Sequence, residues 1–266
     1  MKQGKQQGHL YLVGVGPGDP ELMTYKAVRV LEQTQVWVVP KAKANGASSA
    51  LEIASAMVDA VAKEVLEVRF PMKKIRLGQD HDPEVQQGWQ EAAKIVLARL
   101  AQGEDVAFPT LGDPGLYSTS FYLLNTLEEM LLVQSQHKQQ RQQRQQRIPV
   151  AIIPGVTAMS ACSAQLHDPL GLGDDVLSVV PAAFDDVRLR DILLQSDAVV
   201  LMKVFRRLPA VIALLDELGL TEKAVLLERC GMDGQRVYTD IRKAADKELH
   251  YFSTLLIRKK QISKVV

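Results

Sequence analysis

Residues 10–21 read Leu-Tyr-Leu-Val-Gly-Val-Gly-Pro-Gly-Asp-Pro-Glu. The apolar run suits a buried strand, and Gly14, Gly16 and Gly18 then mark a tight turn where backbone can approach a ligand closely. Asp19 is a good N-cap acceptor and Pro20 suits a first helical position, so a helix is predicted from Pro20 to about Gln33. Met23, Ala27, Val30 and Leu31 give that helix one apolar stripe for packing on a sheet. A strand, a glycine turn and a helix N-terminus with partial positive charge together make a ligand-binding edge.

The familiar occupants of such a turn fit poorly. A Walker-type phosphate loop needs Gly-Lys-Ser/Thr, and the first lysine after the turn is Lys26. The dinucleotide fingerprint needs a small residue where Asp19 stands, and an acid after the next strand, where Pro40 and Lys41 follow Val36–Val39. A turn that is tight only for structural reasons stays open until other motifs join it.

The same device recurs. Asp105–Phe108 reads as a short buried strand running into Thr-Leu-Gly-Asp-Pro-Gly-Leu-Tyr-Ser-Thr at 110–119, so Gly112-Asp113-Pro114 repeats Gly18-Asp19-Pro20. Residues 148–153 form another strand, ending at Pro154-Gly155-Val156-Thr157-Ala158 before a helix of small residues through Leu166. Helices are also predicted from Ser49 to about Ala62 and over Trp89–Leu100. A further helix, behind 110–119, would use Phe121, Leu124, Leu127 and Leu131. With Val36–Val39 and Val65–Phe70, five strands alternate with helices, which predicts an open α/β sheet of mostly parallel strands. Ligands then belong at the carboxyl ends of the strands.

Beyond 167–175, a plausible connection, strands are predicted at Val176–Val180, Ala198–Met202, Ala224–Leu227 and Tyr251–Leu256. The helix Leu208–Leu218, closed by Gly219, lies among them. The expected architecture is therefore α/β in two domains. Residues 9–170 carry the parallel sheet, and residues 171–258 form a smaller α/β domain with a mixed sheet.

At 266 residues, 47% hydrophobic and 24% charged, the chain is an ordinary globular sequence, and its net charge of +1 gives no bulk attraction to nucleic acid or anionic membrane. The glutamine- and arginine-rich stretch 134–147 has no interleaved aromatic residues for base stacking and reads as a solvated insertion. Cys162 and Cys230 form no Cys-x-x-Cys and read as buried thiols of a reducing compartment. The five histidines lack metal-ligand spacing, so no metal site is expected. A polar N-terminus and the lack of any apolar run of membrane-spanning length make the cytoplasm the expected location.

Val-Gly-Val-Gly-Pro-Gly-Asp-Pro (13–20), the 110–119 loop, Ile-Pro-Gly-Val-Thr-Ala (153–158) and Leu-Met-Lys (201–203) resemble, in order, the motifs of the tetrapyrrole methylase family. Within it, Leu-Gly-Asp-Pro-x-Leu-Tyr-Ser-Thr resembles the precorrin-2 or cobalt-factor II C20-methyltransferases of cobalamin synthesis. Phe-Pro-Met (70–72), Ser-Ala-Cys-Ser-Ala (160–164) and Glu-Arg-Cys-Gly-Met (228–232) point the same way. The resemblance implies S-adenosylmethionine held in a cleft between the two domains, a small-molecule tetrapyrrole substrate and a homodimer. It also implies that Gly112, Asp113, Leu116, Tyr117, Ser118 and Thr119 make one wall of the cofactor site, with backbone amides near Gly112 meeting the cofactor's carboxylate. Thr157 and Ala158 would make a second wall, and Met202, Arg229 and Cys230 would close over the adenosine. Gly16, Pro17, Gly18, Asp19 and Lys41 are then expected at the macrocycle. Lys43, Lys73, Lys74, Arg76, Lys203, Arg206 and Arg207 are further cations for its carboxylate arms. No catalytic base is assigned. The alternatives are another regiospecific methylase of this family and a nucleotide-binding module without catalysis.

Overall fold

A computed structural model of the chain describes residues 7–42, 46–71, 73, 82–137, 147–181 and 186–260. Most of the 134–147 stretch, and Lys43, Lys74 and Arg76, lie outside these residues. Two compact units divide the chain at Val156 and Thr157.

The first unit is built on five strands: β1 (Leu10–Gly14), β2 (Val36–Lys41), β3 (Glu64–Arg69), β4 (Val106–Thr110) and β5 (Val150–Ile153). All pair in parallel, in the order β3-β2-β4-β1-β5. The helices are α1 (Tyr25–Gln33), α2 (Ser49–Met57), α3 (Pro83–Ala101) and α4 (Ser120–His137). From β1 to β2 to β3 the chain steps one way along the sheet, and from β3 to β4 to β5 it steps back. Since parallel crossovers are right-handed, α1 and α2 cover one face and α3 and α4 the other. The packing agrees. Leu10, Leu12, Val36, Val38, Val106 and Phe108 form one buried cluster with Trp89, Ala93 and Val96 of α3 and Leu123 and Leu127 of α4. Trp89 and Tyr122 stack across the α3–α4 contact, ring centres 4.7 Å apart. The direction reverses between β1 and β4, whose ends are level at Gly14 and Thr110. In a doubly wound sheet this reversal point is where ligands bind.

Several predicted boundaries shift, for local reasons. Asp19 does cap a helix, its Oδ1 accepting from Glu21 N at 2.9 Å, but that helix is a single 3₁₀ turn, Pro20–Leu22. Thr24 then caps α1, accepting from Ala27 N at 3.1 Å. The α2 helix stops at Met57, where Val58 is extended, rather than near Ala62. The α3 helix starts six residues before Trp89, with Asp82 as N-cap and Pro83 first, a third use of the Asp-Pro device. In α4 the buried pair is Leu123 and Leu127, whereas Phe121 is 40% exposed. The predicted stripe was correct in period but included a residue from the neighbouring face.

The second unit opens with α5 (Ala158–Leu166). It holds a five-stranded mixed sheet of β6 (Leu177–Pro181), β7 (Ala198–Met202), β8 (Ala224–Glu228), β9 (Arg236–Tyr238) and β10 (Ser253–Arg258), in the order β6-β7-β10-β8-β9. Only β6 and β7 pair in parallel. Antiparallel β10 sits between β7 and β8, so residues just past the carboxyl ends of β7 and β8 flank the residues entering β10. The helices α6 (Asp186–Gln195) and α7 (Leu208–Glu217) complete the core through Leu189, Leu193, Leu208, Val211 and Leu215. Arg258 of β10 contacts Asp168 at 3.4 Å and Asp175 at 3.1 Å, which pins the 168–175 segment to the sheet.

Candidate functional site

In the first unit the three glycine turns interlock at the carboxyl ends of β1, β4 and β5. Gly112 N donates to Gly16 O at 2.7 Å and Gly16 N to Gly112 O at 3.3 Å, an isolated antiparallel bridge between the two repeated turns. A Cβ at Gly14 would stand 2.7 Å from both Gly112 O and Gly155 N. One at Gly155 would stand 2.2 Å from Gly112 O and 3.0 Å from Gly14 Cα. These atoms are all backbone, so Gly14 and Gly155 are glycine because three main chains meet there. Gly112 differs: it needs a φ of +72°, and a Cβ there would meet nothing within 4 Å.

Asp113 ties the turns together. Its Oδ1 accepts from Gly115 N at 2.7 Å and its Oδ2 from Gly155 N at 2.9 Å. Its backbone carbonyl accepts from Leu116 N at 3.3 Å. Ser118 is likewise engaged internally. Its Oγ lies 2.9 Å from both Thr110 Oγ1 and Ser120 Oγ, and it accepts at 3.1 Å from the N–H of Ser120, the first residue of α4. Between them, Tyr117 holds φ at 50° and is 46% exposed as a residue, and partial burial raises its phenol above the usual range. The Thr119 carbonyl accepts from Leu123 N in the first turn of α4.

The expected substrate residues are also accounted for. Gly16, Pro17 and Gly18 are buried and Asp19 is half-buried. Lys41, at the end of β2, is paired with Glu67 of β3 at 2.9 Å. Lys73 contacts Asp82 at 2.9 Å and Glu84 at 2.6 Å, so this cation of the basic triplet is matched by nearby acids. Those acids stand at the start of α3, a helix boundary placed too late by sequence.

The second unit gathers Met202, Arg229 and Cys230 at one sheet edge. Met202 ends β7 and is half-buried. Just beyond it Lys203 has φ 61°, and just beyond β8 Arg229 has φ 53°. Lys203 N donates to Ser253 O at 2.9 Å and Arg229 N to Phe252 O at 2.8 Å, so the two flank the entry to β10. Left-handed backbone costs a side-chain-bearing residue roughly 1–2 kcal/mol, so it persists only where surrounding structure imposes it. Among the described residues four non-glycine positions adopt it. Tyr117, Lys203 and Arg229 stand in or beside the predicted cofactor set, and His167 ends α5.

Glu228, only 1% exposed, anchors the Arg229 turn. Arg236 grips it with Nε at 2.5 Å and Nη2 at 2.7 Å, and His250 N donates to Oε1 at 2.5 Å. Burial pushes the carboxyl up, but these donors outweigh it and hold Glu228 below the usual carboxylate range. Arg229 Nε itself donates to Asp233 O at 2.7 Å. Thr157 caps α5, its Oγ1 accepting from Ser160 N at 3.3 Å, and Ala158 begins that helix.

One contact had no signal in the sequence. Cys162 of α5 and Cys230, 68 positions apart, are free, buried and hydrogen-bonded to each other. The bond to Cys230, with burial, raises the Cys162 thiol far above its usual value, while Cys230 as acceptor is lowered. Their adjacency depends on α5 packing against β10, which no spacing rule predicts.

The first unit thus presents a doubly wound sheet with glycine turns at its reversal point, and the second a mixed sheet with strained residues at one edge. The family pattern for Tetrapyrrole (Corrin/Porphyrin) Methylases matches residues 9–245. A cobalt-precorrin-2 C(20)-methyltransferase of Salmonella typhimurium is 31% identical over 258 residues, covering 95% of this chain and 97% of that protein. A precorrin-2 C(20)-methyltransferase of a Sinorhizobium species is 34% identical over 253 residues, covering 94% and 95%. Among solved structures, a uroporphyrin-III C-methyl transferase of Thermus thermophilus, complexed with S-adenyl homocysteine, superimposes with a TM-score of 0.62. That match has 20% identity and covers 94% of this chain and 97% of that one, a likeness of fold. The chain belongs to the tetrapyrrole methylase family.

Proposed function

We propose that the chain transfers the methyl group of S-adenosylmethionine to C20 of a precorrin-2-type tetrapyrrole in cobalamin biosynthesis, the macrocycle being metal-free or carrying cobalt. The observation that carries this reading is the similarity, over nearly the whole chain, to two relatives whose names specify the C20 position. The 110–119 loop supports it, matching the C20 pattern that the sequence suggested.

In this reading Gly112, Asp113, Leu116, Tyr117, Ser118 and Thr119 of the first unit serve the cofactor, as do Thr157, Ala158, Met202, Arg229 and Cys230 of the second. The residues fit an adenosyl ligand in several respects. Gly112 leaves open space where a side chain would stand, Tyr117 is a partly exposed aromatic residue, and Met202 offers a polarisable apolar surface. One detail of the expectation changes. The Gly112, Gly115 and Leu116 amides are already donated, to Gly16 O, Asp113 Oδ1 and Asp113 O, so a carboxylate finds no free donor among these three. Asp113 acts by holding two turns in place, both its carboxylate oxygens being engaged.

S-adenosylmethionine brings a methyl already activated on a sulfonium, and the meso carbon C20 is electron-rich through conjugation with the pyrrole nitrogens. The residues of this chain therefore need to align donor with acceptor and exclude water, the contribution of a preorganised site. The turn around Gly16, Pro17, Gly18 and Asp19, with Lys41, is assigned to the macrocycle. The Glu67 partner of Lys41 means that gripping a substrate carboxylate requires Lys41 to exchange that partner. A cytoplasmic homodimer belongs to the same proposal, and two free buried thiols accord with a reducing compartment. No helix among the described residues is long and apolar enough to cross a membrane.

Calorimetry tests the donor half of the proposal. S-adenosylhomocysteine is expected to bind the full chain and NAD to give no heat. Tight NAD binding without S-adenosylhomocysteine binding would remove the methyltransferase reading. Comparing turnover of metal-free precorrin-2 and cobalt-factor II then decides which macrocycle is preferred.

A further inference from the structure

Lys203 is a cation without a matching acid. It is half-buried just beyond β7, yet among the described residues no carboxylate pairs with it. Its ammonium sits 5.4 Å from the centre of the Tyr251 ring. Burying an ammonium is costly unless it is paired, and a single aromatic face offsets only part of that cost. Burial accordingly lowers the Lys203 ammonium below the usual lysine range, with no neighbouring charge to restore it. The neighbouring cations are placed differently. Arg229 donates through Nε to Asp233 O, and exposed Arg206 lies over the Phe205 ring at 5.1 Å.

The backbone sets this arrangement in place. Lys203 holds φ at 61° while its N–H is bonded to Ser253 O, so the chain turns sharply at the strand end. Phe205, Tyr251 and Phe252 form an aromatic cluster beside it: Tyr251 lies 5.5 Å from Phe205 and 5.6 Å from Phe252, centre to centre. Burial also raises the Tyr251 phenol, so its hydroxyl stays protonated and able to donate. An ammonium over Tyr251, whose ring packs against Phe205 and Phe252, calls for an anion to complete the ion pair that the fold omits, and the anionic groups of the proposed donor and acceptor are carboxylates.

We propose that Lys203 is a carboxylate-binding residue of this sheet edge, holding either the amino-acid carboxylate of the methyl donor or a carboxylate arm of the acceptor. The proposal rests on the methyltransferase reading, in which donor and acceptor both carry carboxylates, and the Gly112, Gly115 and Leu116 amides are already donated elsewhere.

The test uses the full chain, wild type and Lys203→Met, with Lys203→Gln read in the same way should the Met variant fail to fold. S-adenosylhomocysteine carries the donor's carboxylate, and 5′-methylthioadenosine keeps the adenosine and thioether without it. If Lys203 holds the donor, the variant binds S-adenosylhomocysteine about tenfold more weakly and methylthioadenosine as the wild type does. If it holds an acceptor arm, both nucleosides bind unchanged, while KM for precorrin-2 rises about tenfold with kcat within twofold. Lys203→Arg, which keeps the charge, is expected to recover most of the loss in either case. Unchanged affinities and KM would overturn the proposal, as would equal weakening of both nucleosides, which marks a merely structural role. Failure of the wild type to bind S-adenosylhomocysteine is a separate outcome, and it overturns the methyltransferase reading on which the proposal rests.

Discussion

Replacing Gly155 by alanine is expected to destabilise the first unit by about 3 kcal/mol or more and to abolish methyl transfer. The added methyl would stand 2.2 Å from Gly112 O and 3.0 Å from Gly14 C, both main-chain atoms at the ends of neighbouring strands. No rotamer change can relieve such a contact, so the ends of β1, β4 and β5 must separate. For a chain of this size the corresponding fall in Tm is roughly 6–12 °C. Two neighbouring glycines calibrate the result. Gly112→Ala meets nothing within 4 Å and pays only for φ +72°, about 1 kcal/mol. Gly115→Ala meets only the Asp113 side chain, at 3.1 Å, and should be milder than Gly155→Ala. Thermal melts of the three variants should therefore place Gly155→Ala well below the others. A Gly155→Ala protein that melts with the wild type would show that the three turns do not meet as described.

Asp113→Asn is the second large effect, although it changes hardly any volume. Both carboxylate oxygens accept backbone N–H groups, Gly115 at 2.7 Å and Gly155 at 2.9 Å. An asparagine offers one acceptor oxygen and turns its NH₂ toward the other donor. One backbone N–H, on exposed Gly115 or half-buried Gly155, then loses its charged acceptor and faces a second donor, a cost of about 1–2 kcal/mol. The disturbance falls on the 110–119 loop, so the affinity for S-adenosylhomocysteine is expected to drop at least tenfold along with the melting temperature. Calorimetry beside a thermal melt reads both. An Asn variant with wild-type affinity and stability would leave Asp113 without the bridging role assigned to it.

Much of the fold was readable because alternation and turn chemistry agreed. The five parallel strands, the mixed second sheet and the Gly219 end of α7 follow from local patterns that the tertiary structure kept. The α6 helix carries a Leu189, Ile192, Leu193 stripe at helical spacing and α3 starts at Asp82-Pro83, two signals that are present in the sequence. By contrast, β9 has three residues at a sheet edge, too few for a period to declare itself.

The site was legible as motifs and illegible as geometry. Sequence identified Gly14 and Gly112-Asp113-Pro114 and placed them at strand ends. It could not say that Gly14 touches Gly155, because that requires β1 to lie between β4 and β5. It suggested Asp113 as a cofactor contact, and the structure adds a bridge between turns 42 positions apart. Left-handed φ at Tyr117, Lys203 and Arg229 carries no residue-type signature, since none of these is glycine or asparagine. Lys41 and Lys73 looked available as cations because the acids that meet them come from another strand and from a helix start.

The central claim is the position of the transferred methyl. Precorrin-2 or cobalt-factor II incubated with the full chain and S-adenosylmethionine carrying a ¹³C methyl should give a product whose labelled carbon is assigned by NMR. The account predicts a single labelled methyl on C20. Label on any other carbon, or none transferred by a chain that binds S-adenosylhomocysteine, would contradict it.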